Sequence, residues 1–145
     1  MKNQIFKTTA MMALFVILAA LSVQAQTTTR RVNIPFDFSA GQSQLKAGSY
    51  SIRQRSGAVL AISNSEGKTV ALVNAPLTVG SRDAKSGERL VFNQYDNQYF
   101  LSQVWLTVDT GKQLLTTNAE TRTAREFRFA RGNSKPKRVE IAATR

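Results

Sequence analysis

Residues 31–38 read Arg-Val-Asn-Ile-Pro-Phe-Asp-Phe, with Val32, Ile34, Phe36 and Phe38 on one side and Asn33 and Asp37 on the other. That period of two predicts a half-buried β-strand. Pro35 interrupts it and has no N–H to give a ladder, so the strand is expected at a sheet edge or bulged. All eight glycines fall between apolar runs, and from Gly41 to Gly87 they recur every 7 to 13 residues. Such punctuation predicts short antiparallel strands.

Two hairpins have readable turns. The runs 58–63 and 68–74 flank Asn64-Ser65-Glu66-Gly67, where Gly67 suits the left-handed position of a type I turn with a bulge. The runs 89–95 and 98–106 flank Asp96-Asn97, two residues that tolerate positive φ. This register sets Phe92 opposite Leu101 and Leu90 opposite Gln103. Leu90, Phe92, Leu101 and Trp105 then share one face, and Val91, Phe100 and Val104 the other. Strands apolar on both faces belong inside a sandwich or barrel.

The period changes in the last quarter. Thr117-Asn118-Ala119-Glu120 fits a capping box, and Gly132 fits the position just past a helix end. The wheel groups Ala119, Thr123, Phe127 and Ala130 as the docking face. Glu126–Ala130 also alternates as a strand would, but the capping box favours the helix. After Pro136, Val139 and Ile141 alternate with Arg138 and Glu140, which predicts a short closing strand. The expected fold is mainly β, an antiparallel sandwich or small barrel of about eight strands, with one amphipathic C-terminal helix and a final strand.

The N-terminus follows a different logic. Lys2 and Lys7 precede an unbroken apolar run at 10–21, and Val23-Gln24-Ala25 supplies a cleavage site. These are the parts of a secretory signal peptide. The run is too short for a membrane span, which needs about 20 apolar residues. The expectation is a signal peptide at 1–25 and one β-rich domain at 26–145, exported to the periplasm or beyond, with no transmembrane segment after cleavage.

Composition narrows the chemistry. The chain has 145 residues, 20 Lys and Arg against 9 Asp and Glu, and neither His nor Cys. A Ser-His-Asp triad, a cysteine nucleophile, a Cys/His zinc site and disulfide staples are thereby excluded.

Three strings, VNIPFDF (32–38), LKAGSY (45–50) and YFLSQVW (99–105), resemble those of an uncharacterised group of small exported bacterial proteins. Lys46 departs from that group, where proline is expected. The resemblance implies export and a β-rich fold. It carries no catalytic or binding residue.

Candidate catalytic groups are weak. Ser43-x-x-Lys46 and Ser65-x-x-Lys68 have Ser-Lys spacing, but both sit in expected turns where a wet lysine keeps its proton. Asp83, Glu88, Asp96 and Asp109 lie near turns, where Asp caps its own backbone, and no EF-hand-like pattern of oxygen ligands is present. The sequence therefore predicts no catalytic residue, cofactor or metal. The distinctive feature is charge. Residues 122–145 carry a formal +6, against +3 over 26–121.

Arg122, Arg125, Arg128, Arg131, Lys135, Lys137 and Arg138 are the candidate contacts to a protein partner or anionic envelope component, with nucleic acid disfavoured. Tyr95, Tyr99 and Phe129 are the candidate exposed aromatics. The bland alternative is a solvated helix face with an Arg122–Glu126 pair. A second function class is a small barrel carrying an apolar ligand.

Overall fold

A computed structural model describes residues 29–80 and 87–144. The expected signal peptide and Asp83 lie outside them. Two sheets face each other. The first runs β1 (Thr29–Ile34), β4 (Gly48–Ser56), β5 (Val59–Asn64) and β6 (Thr69–Asn74), all antiparallel neighbours.

The second runs β11 (Lys137–Ala142), β8 (Arg89–Tyr95), β9 (Gln98–Trp105), β10 (Thr110–Gln113) and β7 (Leu77–Gly80). β2 (Phe38–Ala40) joins β9 at a parallel Ser39–Phe100 pairing and carries β3 (Ser43–Leu45) beside it. One helix, α1 (Asn118–Ala130), comes before β11. The fold is a mainly β sandwich rather than a closed barrel, with the expected C-terminal helix and strand. A paired bridge between Arg31 and Thr144 stitches the sheets at one corner.

Pro35 ends the first strand rather than bulging it: β1 stops at Ile34 and β2 begins at Phe38. Between them Asp37 accepts from Lys46 Nζ at 2.8 Å and from Ala47 N at 2.9 Å. The Lys46 hydrogen bond, then that of Ala47, holds the Asp37 carboxyl below its usual range, and Asp37 in turn raises Lys46. Lys46 thus closes this loop.

The Asn64–Gly67 turn forms as the sequence predicts. Gly67 has φ +80° and donates to Asn64 O at 3.0 Å, and the Asn64 side chain accepts from the amides of Glu66 and Lys68.

In the β8–β9 hairpin Phe92 does face Leu101, but a bulge follows. Val91 pairs with Gln103 and Leu90 with Val104, so Ser102 is the extra residue. A one-residue slip exchanges faces. Val104 therefore enters the main core, and Trp105 goes to the outer face, the reverse of the expected assignment.

Between the sheets lie Ile34, Ile52, Leu60, Ile62, Leu90, Phe92, Leu101 and Val104, all buried. Burying each such side chain contributes roughly 1.5–3 kcal/mol before entropy is counted. Phe36, Phe38, Tyr50 and Phe92 meet edge to face, and Phe36 stacks on Tyr99 at 3.8 Å between ring centroids. The described residues form eleven strands against about eight and a final one expected, and β2, β3, β7 and β10 are only three or four residues long.

Candidate functional site

The outer face of the second sheet carries the C-terminal helix. Thr117 has extended dihedrals, and its hydroxyl accepts from Glu120 N at 3.1 Å, which fixes where α1 begins. Only half of a capping box forms. The Glu120 carboxylate turns to the sheet, accepting from Asn93 Nδ2 at 2.9 Å and from the Tyr95 hydroxyl at 3.4 Å.

Glu120 is 5% exposed, a buried acid held by two donors. Burying a charge is tolerated only with such partners. Around it Tyr95 meets Phe100 and Phe127 edge-on at 5.8 and 5.7 Å, and Ala124 is buried against them.

The docking face is therefore Glu120, Ala124 and Phe127, with Thr123 bonded to Gln98 at its margin. Ala119 and Ala130 are exposed, contrary to the wheel expectation. The polar helix gives its wheel few apolar markers, and the acid that decides the orientation counts as solvent-facing. The C-terminal signal reads correctly. Gly132 has φ +61°, and Asn133 donates to Arg128 O at 3.0 Å, closing the helix in a Schellman arrangement.

With that face turned inward, the opposite side points to solvent. Arg122, Arg125, Lys135 and Lys137 are exposed and have no side-chain partner among the described residues; no Arg122–Glu126 pair forms. Arg128 is exposed, though its Nε donates back to Ala124 O. Arg131 is engaged: it pairs with Asp96 at 2.7 Å and lies over the Phe127 ring, tying the helix end to the β8–β9 turn. Arg138 crosses to Gln103 Oε1 at 3.0 Å, which also accepts from the Trp105 indole N–H at 3.2 Å.

Among the candidate aromatics, Phe129 is 83% exposed. Tyr95 is not: at 7% exposure it is the anchor of the helix, because its ring fills the space beneath α1. Burial, then the neighbouring Glu120 charge and hydrogen bond, raises the Tyr95 phenol above its ordinary pKa, with Arg128 opposing. Tyr99 is half-buried against Phe36.

The role of Glu120 as an anchor is not legible in the sequence. Its only signal was an acid three residues after the cap, which reads equally as a capping box.

The catalytic motifs do not assemble. Lys46 is paired with Asp37, and Ser65 and Lys68 occupy an exposed turn. Glu88 pairs with Arg30 and Asp96 with Arg131, so neither stands with a second acid. No cluster of three acids capable of holding a metal occurs among the described residues. Nor is any helix among them long and apolar enough to cross a membrane. No family model, curated protein or solved structure matches this chain.

Proposed function

We propose that this is a non-catalytic exported protein that binds a polyanionic partner through the basic face at 122–138. One observation carries the reading. Glu120, Ala124 and Phe127 seat the helix, so its outer ridge presents Arg122 and Arg125 unpaired to solvent. Lys135 follows in the segment that leads into β11 and Lys137 opens that strand, where Arg138 pairs opposite Asn93, the residue that holds Glu120.

Cations with no internal partner keep their field available to a ligand, and the exposed Glu126 is the unpaired acid among them. Two acids flanking the face are occupied, Asp96 by Arg131 and Glu140 by the buried Arg89 at 3.3 Å.

The carrier alternative draws less support. It asks for a sheet closed around a cavity, whereas the inward positions of both sheets are filled by Ile, Leu, Val and Phe side chains.

The test is binding of the exported chain to dextran sulfate over a series of salt concentrations. The variant Arg122→Gln/Arg125→Gln/Arg128→Gln is compared with Arg53→Gln/Arg55→Gln, which removes charge from exposed β4 in the other sheet. Binding is expected to weaken with salt, and to fall at least about tenfold in the helix variant while the β4 variant stays near the parent. Salt-insensitive binding, or equal loss in both variants, contradicts the proposal.

A further inference from the structure

We infer that the polyanion is an anionic lipid bilayer and that Phe129 is the side chain inserted into it; the inference rests on the proposed polyanion-binding function. The solvent-facing ridge of α1 is centred on Phe129. At about 3.6 residues per turn, Arg122 lies about 20° and Arg125 about 40° from it around the axis, while Glu120 and Phe127 lie on the far side, against the sheet. Phe129 is 83% exposed and has no ring contact, whereas Phe127, two residues earlier, is seated against Tyr95.

An apolar ring at the crest of a convex ridge, with arginines beside it, matches a bilayer interface. The ring enters the acyl boundary while the guanidinium groups stay at the phosphates. A soluble polyanion supplies charge but nothing apolar to receive the ring. Single-stranded nucleic acid stacks on aromatics, but it uses successive platforms along a basic groove, and the crest offers one ring on a convex surface. Charge complementarity fits the same occupant. Arg122, Arg125, Lys135 and Lys137 are unpaired, and Arg128 lies on the helix flank, about 100° from Phe129 around the axis. Glu126 is the acid on that ridge, about 60° from Phe129, and opposes the contact.

The experiment uses the exported chain with vesicles of phosphatidylcholine containing increasing phosphatidylglycerol. Dextran sulfate and an oligothymidylate are run in parallel. Binding is expected to require phosphatidylglycerol and to fall about fivefold for each of Arg122→Gln and Arg125→Gln, the size of the attraction of one basic residue to an anionic leaflet. Glu126→Gln is expected to strengthen it.

Phe129→Ser should weaken vesicle binding about tenfold, because a phenyl ring no longer leaves water, while binding to dextran sulfate stays unchanged. Phe129→Trp should show a blue shift with vesicles that the parent lacks, because Trp105 is already only 4% exposed. Vesicle binding indifferent to Phe129→Ser overturns the insertion. Binding to dextran sulfate or oligothymidylate without binding to vesicles overturns the bilayer and leaves the polyanion proposal standing. Binding to none of the three overturns both.

Discussion

The indole of Trp105 lies flat over Gly111, its cross-strand partner on β10, so closely that a Cβ at Gly111 would stand 2.5 Å from Trp105 Cδ2. The Arg89 guanidinium covers the same indole, 4.2 Å from the ring centroid. Glycine is required here for space rather than for a turn, since its place is inside a strand.

Gly111→Ala is therefore expected to cost about 1–3 kcal/mol, the usual penalty of overpacking against a rigid ring. Chemical denaturation measures it. Gly80→Ala, at a strand position with nothing within 4 Å of the added carbon, is the control expected to stay within about 0.5 kcal/mol of the parent.

Glu120 holds the helix to the sheet. Glu120→Ala leaves Asn93 and Tyr95 without their acceptor in a buried site and is expected to cost about 2–3 kcal/mol. Glu120→Gln keeps an acceptor oxygen and should cost less. Thermal unfolding of the two variants checks the order.

Tyr95 gives a pH dependence. Its folded pKa lies above the ordinary 10.0, raised by burial and by Glu120. Between the unfolded and folded values the native state holds a proton that the unfolded chain has lost, so stability falls as pH rises past about 10. A spectrophotometric titration should show a phenol ionising above the ordinary range that is lost from a Tyr95→Phe variant. Glu120→Gln should bring it back toward the ordinary range.

Some elements were legible because their signals are local. The Asn64–Gly67 turn, the Thr117 cap and the Gly132 stop depend on the side chain or backbone freedom of one or two residues, and each forms where the sequence places it. The β9 bulge was not legible. Both faces of β8 and β9 are apolar, so hydrophobic pattern alone cannot detect a slip, and Val104 and Trp105 exchanged sides.

The short strands β2 and β7 meet partners far along the chain, β9 and β10, and three or four residues carry no period of their own. The basic segment was plain from charge, but its division into free and engaged cations was not. Arg131 meets Asp96 and Arg138 meets Gln103 across 35 residues in each case.

That division yields a prediction at Asp96. Its ion pair neutralises Arg131, and its φ of +51° is a conformation asparagine tolerates well. Asp96→Asn should keep the turn and release the Arg131 charge, strengthening binding to dextran sulfate about two- to fivefold at low salt. Equal or weaker binding with an unchanged melting temperature would place the anion away from the helix end.

The central claim is that the basic face at 122–138 meets the polyanion, and a residue-resolved NMR titration of the labelled chain with dextran sulfate tests it most directly. The predicted result is salt-reversible shifts concentrated at Arg122, Arg125, Phe129, Lys135 and Lys137, with β4 and β5 unmoved. Shifts centred on Arg31 and Arg53 in the opposite sheet, or none at low salt, would contradict it.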